Sequence, residues 1–230
     1  MVDCKCNDVM TPLSELKDLK RLSIKSNAEA FAPSFTIKAI ESWTNLESLQ
    51  CEQITDVLPK KNHNLDYEFI DLDTIVRKLA RRHGGSLKTL KMHFPMRLRP
   101  INCLTGSSLR NLGVSCHNLK SLWLNRCQAT YEDVEHLGNL DQLEFIALDF
   151  DHGLGIAGAS EMLLTPKLPM LTPKLPKLRT CHVMLKKNSR LTKLMEKLFD
   201  LFCCRRLASG CGHLSVSIIP YSIAPPRETR

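Results

Sequence analysis

Aromatic residues are scarce in this chain of 230 residues: 6%, made up of 8 Phe, 3 Tyr and 2 Trp. A core built from it must be mostly aliphatic, and leucine is visibly the commonest apolar residue. Long apolar runs are missing too. No stretch of about 18 apolar residues occurs, which excludes an ordinary transmembrane helix. The opening Met-Val-Asp-Cys-Lys-Cys lacks the basic-then-apolar layout of a secretory leader. A cytoplasmic or nuclear chain is expected, with its 10 cysteines reduced. Catalytic motifs are absent as well. There is no P-loop, no Gly-rich dinucleotide turn, no G-x-S-x-G and no H-E-x-x-H. Neither an enzyme, a cofactor nor a small-molecule substrate is expected. Disorder is excluded for the bulk of the chain by 43% hydrophobic residues.

Acidic residues thin out in one place. Between Thr165 and Arg206 eleven Lys/Arg face only Glu196 and Asp200, a local net charge of +9 against +8 for the whole chain. The remainder is close to neutral. Such a surface offers one reading, a module that docks to acidic membrane or nucleic acid through residues 165–206. The aromatic interleaving of a nucleic-acid surface is lacking there, so neither partner is the favoured one.

What the chain has in abundance is self-similarity. Leu119-Lys-Ser-Leu122-Trp-Leu124-Asn-Arg-Cys127 reads L-x-x-L-x-L-x-x-C, the strand half of a leucine-rich repeat. Worn copies stand at Leu19/Leu22/Ile24, Leu46/Leu49/Cys51, Leu87/Leu90/Met92, Leu143/Ile146/Leu148 and Leu178/Cys181/Val183, with a weak seventh at Cys211/Leu214/Val216. First positions are spaced 27, 41, 32, 24, 35 and 33 residues apart. A regular array holds near 20–29, so several units carry insertions or eroded helices. Apolar residues two apart point to one side of a short strand, and the first Leu turns into the core before it. Each unit has too few apolar groups to bury alone, so neighbours must stack.

Helices should run back between the strands. Tyr131–Leu137 fits, with Thr130 as N-cap and Asp133 three residues on. Leu72, Ile75, Val76 and Leu79 share one helical face, and Gly84-Gly85 ends that helix as a glycine cap. Ile37, Ile40 and Trp43 suggest a short helix after the first strand. The expected fold class is α/β: an open, curved solenoid with a parallel concave sheet and irregular convex helices. Its expected organisation is an N-terminal segment or cap at 1–18, the solenoid at 19–218 with a Pro-rich insertion near 164–177, and a tail at 219–230.

The stretch from Leu112 through Cys116-His-Asn118-Leu119, Leu122-Trp-Leu124, Cys127 and Thr130 to Asp133 resembles the cysteine-containing leucine-rich repeat. That variant is similar to the repeats of F-box/leucine-rich-repeat proteins and their ribonuclease-inhibitor-like relatives. The resemblance is specific over roughly Ser86 to Phe150. Asn27 and Cys127 match the family's ninth position, while Ile54, Pro95, Asp151 and Lys186 depart from it. It implies a substrate-recognition or adaptor role in ubiquitin-ligase-type complexes, with a ligase substrate among the protein partners. No F-box is recognisable: the first repeat starts at Leu19, and the Leu13–Leu16 segment is too short for one.

The concave face of such a solenoid is lined by the residues between the strand leucines. Its middle position reads Ser23, Gln50, Lys91, Trp123, Ala147 and His182. The expected partner contacts are Trp123, Arg126, Lys91, His93, Phe145, Asp149 and Phe150, since an outward Trp flanked by Arg and Phe has the composition of a binding hot spot. The alternative is that an insertion between His93 and Ser108 covers Trp123 and Phe145. Cys4-x-Cys6 and Cys203-Cys204 with Cys211-x-His213 contain metal-ligand types but not paired C-x-x-C spacing, so no metal is expected. Cys51, Cys127 and Cys181 fall at core positions.

Two segments remain. Residues 190–202 form a basic amphipathic helix, expected to be the last convex helix or a cap over the open end of the core. Leu164-Thr-Pro-Lys-Leu-Pro-Met and Leu171-Thr-Pro-Lys-Leu-Pro-Lys are a tandem duplication whose prolines favour an extended loop. The chain is expected to be monomeric on its own.

Overall fold

The computed structural model describes residues 12–26, 33–53, 70–93, 101–102, 104–128, 133, 135–150, 174–186 and 215–221. The elements are β1 (Arg21–Ser26), α1 (Pro33–Ser42), β2 (Ser48–Gln53), β3 (Ile70–Asp71), α2 (Leu72–His83), β4 (Thr89–His93), β5 (Ile101–Asn102), β6 (Leu104–Thr105), α3 (Gly106–Ser115), β7 (Ser121–Gln128), a 3₁₀ turn (His136–Asn139), β8 (Phe145–Phe150), β9 (Thr180–Lys186) and β10 (Ser215–Tyr221). Helical elements are described between β1 and β2, β3 and β4, β6 and β7, and β7 and β8, and the main sheet runs β1-β2-β4-β7-β8-β9-β10 with β6 added beside β7. All of its pairings are parallel. Sequence neighbours are therefore spatial neighbours, as stacked repeats require.

The apolar spacing explains the register. Leu49, Leu90, Leu122 and Ile146 stand opposite one another, as do Cys51, Met92, Leu124 and Leu148. All eight are buried. The leading leucines Leu46, Leu87, Leu119, Leu143 and Leu178 are buried just ahead of their strands. Removing each such side chain from water contributes roughly 1.5–3 kcal/mol. Slipping a strand by one residue would turn this whole set outward.

Backbone bonds lock the same register. The Lys20 carbonyl accepts from the Glu47 and Ser48 amides, and the Glu47 carbonyl from Lys88 and Thr89. The chain of bonds continues through Lys88, Lys120, Glu144 and Arg179 to the amide of Ser215. One position per repeat thus forms a carbonyl ladder along the sheet's leading rim. That position carries Lys20, Glu47, Lys88, Lys120, Glu144 and Arg179, and ion pairs join Lys88 to Glu47 (2.9 Å) and Lys120 to Glu144 (3.6 Å).

The last strand departs from expectation. Val216 pairs with Cys181 and Ile218 with Val183. The strand positions of the seventh unit are therefore Val216 and Ile218, two residues later than the Leu214 and Val216 of the expected Cys211/Leu214/Val216; Cys211 and Leu214 lie outside the described residues. A slip of two leaves residues on the same side of a strand, so alternation alone could not distinguish the registers.

Helices cover the leucine side. α2 buries Leu72, Ile75, Val76, Leu79, Ala80 and His83, and α1 contributes Ala39 and Ile40 with Trp43 just beyond it. The Trp43 Nε1–H donates to the Leu13 carbonyl (2.9 Å), tying the N-terminal segment to the first repeat. His83 Nε2 bonds the Ile40 carbonyl at 2.9 Å and joins α2 to α1. Thr105 is the N-cap of α3, its hydroxyl oxygen accepting from the Ser107 amide, and Asp73, in the first turn of α2, braces that cap from the neighbouring repeat by accepting from the Thr105 amide at 2.9 Å and from the Thr105 and Ser108 hydroxyls. In the shortest unit the described helical residues are Asp133 and Glu135, followed by the 3₁₀ turn. Thr130, the expected N-cap there, lies outside the described residues.

Gly84-Gly85 ends α2, but not as a left-handed cap, since neither residue has a positive φ. A Cβ on Gly84 would sit 2.4 Å from the Ser115 carbonyl oxygen, whereas one on Gly85 would meet nothing within 4 Å. Close approach of α2 to α3 is what requires Gly84. Gly113 plays the same part between α3 and the 3₁₀ turn, where a Cβ would lie 2.1 Å from the His136 carbonyl oxygen.

Candidate functional site

The face of the sheet away from the helices presents the residues between the strand leucines. Ser23, Gln50, Lys91, Trp123, Ala147, His182 and Ser217 share one register row. Strand alternation puts Arg21, Lys25, Glu52, His93 and Phe145 on the same face, two positions to either side of that row. The expected middle positions thus come together.

Rings run diagonally across four strands. His93 packs edge-on against Trp123 with centroids 5.8 Å apart. Trp123 is 6.3 Å from Phe145, and Phe145 is 5.4 Å from His182. Such spacings lie within the range of favourable ring pairs. Ala147, directly opposite both Trp123 and His182, is buried.

Charge sits on the N-terminal side of the rings. Lys91 Nζ lies 4.2 Å from the centroid of the Trp123 ring, a cation–π contact. The same ammonium donates to Glu52 Oε2 at 3.0 Å. Lys25 approaches the same oxygen at 3.8 Å. The hydrogen bond from Lys91, with the charges of Lys91, Lys25 and His93, holds the Glu52 carboxyl below its usual range against a smaller opposing effect of burial. Burial holds His93 below the usual imidazole value, and the nearby Glu52 only partly offsets it.

Polar atoms on this face are left over. Trp123 Nε1, His93 Nδ1 and His182 Nδ1 are shielded from water and, among the described residues, have no hydrogen-bond partner. An indole N–H can only donate, so it calls for an acceptor.

Of the expected contacts, Lys91, His93, Trp123 and Phe145 form this one cluster. Arg126 follows Leu124 in β7, where the pairing with β8 is irregular between Leu124 and Cys127. Asp149 stands opposite Met184, and Phe150 opposite Cys127. The side chains of Arg126, Asp149 and Phe150 lie outside the described residues, as do residues 94–100 and 103 of the segment expected to cover Trp123; its Ile101–Asn102 pairs with β3 and its Leu104–Thr105 with the end of β7. Glu52 and Lys25 were not among the expected contacts. Their position two residues beyond Gln50 and Ser23 in the row was the available signal.

The other candidates fall mostly outside. The Cys4/Cys6 pair, the Cys203–His213 cluster and the 190–202 helix lie beyond the described residues. Among the described residues no group of three potential ligands could hold a metal, and no helix is long and apolar enough to cross a membrane. Among the described basic residues of 165–206, Lys174 Nζ lies 2.6 Å from Glu135 Oε1, and Lys177 donates to Gln142. Cys51, Cys127 and Cys181 are buried, as is Cys116. Burial pushes Cys51 and Cys116 up to about 12.

No protein-family model matches this chain, and no curated protein matches it. Solved structures similar to it include the C-terminal domain of Caenorhabditis elegans tropomodulin, at 14% identity, TM-score 0.37 and coverage of 89% of this chain and 99% of that one. Another is the leiomodin-1 actin-binding site 2, at 8% identity, TM-score 0.40 and coverage of 91% and 95%. These findings correct the expected kinship with F-box/leucine-rich-repeat and ribonuclease-inhibitor-like proteins. That resemblance rested on one stretch whose leucine spacing is what any stacked strand-and-helix unit needs. Its more telling feature, a Cys or Asn at the ninth position, recurs only at Asn27 and Cys127.

Proposed function

We propose that this chain is a leucine-rich-repeat solenoid whose strands line a concave face, and that this face binds a protein partner. The observation that carries the reading is the ring row His93–Trp123–Phe145–His182 with Lys91 over the indole. The aliphatic core lies on the other side of the sheet and does not use these rings for packing. Aromatic anchors with a cation at the centre of a broad face are what protein interfaces concentrate their affinity in.

On this reading the protein is a recognition module and not an enzyme. It works in the cytoplasm or nucleus, where Cys51, Cys116, Cys127 and Cys181 stay reduced. The ligase-adaptor role fell with the resemblance that implied it.

Quantitative capture from cell extract tests the reading. Proteins retained by the full chain should be lost by Trp123→Ala and kept by Val114→Lys, which alters an exposed residue of the helix layer. Equal retention by both variants would overturn it.

A further inference from the structure

Lys91 is shared between two neighbours on adjacent strands. On one side it is bonded to Glu52 at 3.0 Å, and on the other it covers the Trp123 ring at 4.2 Å. Beneath it, Trp123 Nε1 is shielded from water and, among the described residues, has no hydrogen-bond partner. The other cations of this part of the face, Arg21 and Lys25, are exposed. Among the described side chains of the face, Glu52 is the single carboxylate opposing three cations.

From this arrangement we infer that Glu52 and Lys91 form a latch over Trp123, opened by an acidic segment of a partner protein whose carboxylate takes Lys91 from Glu52. The inference rests on the protein-binding reading of the face and names the chemistry of the partner. Glu52 occupies the place of the partner's acid in the free protein. When an incoming carboxylate pairs with Lys91, the ammonium leaves the ring. The indole N–H then reaches an acceptor, a carboxylate or backbone carbonyl of the same segment. Exchanging one partly buried ion pair for another in the same place changes little, since the lost and gained attractions are alike. The gain comes from satisfying the indole donor and covering the rings. Lys25 supports the exchange, because it keeps Glu52 paired after Lys91 has moved (3.8 Å in the free protein).

The two tryptophans make the test direct. Fluorotryptophan labelling of the full chain gives one ¹⁹F resonance for Trp123 and one for Trp43. Trp43 is buried and bonded to Leu13, so it reports on folding. Hexaglutamate is the probe, with hexaglutamine and oligothymidylate as comparisons. Hexaglutamate should shift the Trp123 resonance and leave that of Trp43 in place. Glu52→Gln should tighten its binding by about fivefold or more, since the upper end of the exposed-pair scale is the floor for a partly buried pair. Lys91→Gln should abolish the salt-sensitive part of it.

Three results would overturn the latch: an equal response to hexaglutamine, tighter binding of oligothymidylate, or no gain from Glu52→Gln while Trp43 is unmoved. If the latch fails but partner capture still depends on Trp123, the protein-binding reading stands without it. If capture does not depend on Trp123, that reading itself fails.

Discussion

Lys91 stands over Trp123, its Nζ 4.2 Å from the indole centroid, on the face of the sheet opposite the leucine core. Leu122, the residue before this tryptophan, is completely buried in that core. Adjacent residues thus serve the two sides of one strand, and their substitutions should separate. Leu122→Ala should cost about 2–5 kcal/mol, the usual range for a buried leucine. Trp123→Ala loses a cation–π contact and two ring contacts, and should cost about 1–2 kcal/mol. Urea unfolding of both variants checks this. Equal costs would make Trp123 a packing residue.

Stability should fall on mild acidification. Burial lowers the pKa of both His83 and His93 below the usual 6.5. Between the folded and unfolded values the unfolded chain binds more protons, so stability rises with pH in that window. The histidine contribution is therefore complete above about 6.5 and is lost as pH falls through the lowered folded values. Glu47 and Glu52 act in a separate window. Their carboxyls are held down chiefly by Lys88 and Lys91, so their contribution fades only below 4.5. Urea midpoints at pH 7.5 and 5.5 should differ, and His83→Gln should reduce the difference. A flat profile would contradict the buried, neutral state of His83.

Gly84 and Gly85 should respond in opposite ways to alanine. A Cβ at Gly84 meets the Ser115 carbonyl at 2.4 Å, while Gly85 has open space. Gly84→Ala should cost about 1–3 kcal/mol by forcing α2 away from α3. Gly85→Ala should stay within about 0.5 kcal/mol of wild type. Thermal melts of the pair decide it.

Much of the fold was legible because one constraint repeats. Six strands carry apolar residues three and five positions after a leading residue, and stacking admits few ways to bury them. What period two could not settle was a shift of two, and the seventh strand shows that shift. The glycine pair after α2 was visible, but its reason was not: the need at Gly84 comes from a carbonyl 31 positions along the chain, at Ser115. The site divided in the same way. Lys91, His93, Trp123 and Phe145 could be read from position within a strand. The place of Glu52 on the face was legible in the same way, but its pairing was not, because Lys91 reaches it diagonally from the neighbouring strand, which only the register reveals.

Buried thiols should be silent in the native state. With pKa values of about 12, Cys51 and Cys116 carry little thiolate at pH 8. Peptide mapping after iodoacetamide treatment should find both unmodified in buffer and modified in urea. Rapid native modification of either would place it outside the core.

Binding through the open face is tested most directly at Trp123 in the presence of a captured partner. The account predicts that the ¹⁹F resonance of Trp123 moves on complex formation, that the Trp43 resonance stays where it is, and that Trp123→Ala weakens the complex without unfolding the chain. A complex that forms with the Trp123 resonance unchanged would contradict it.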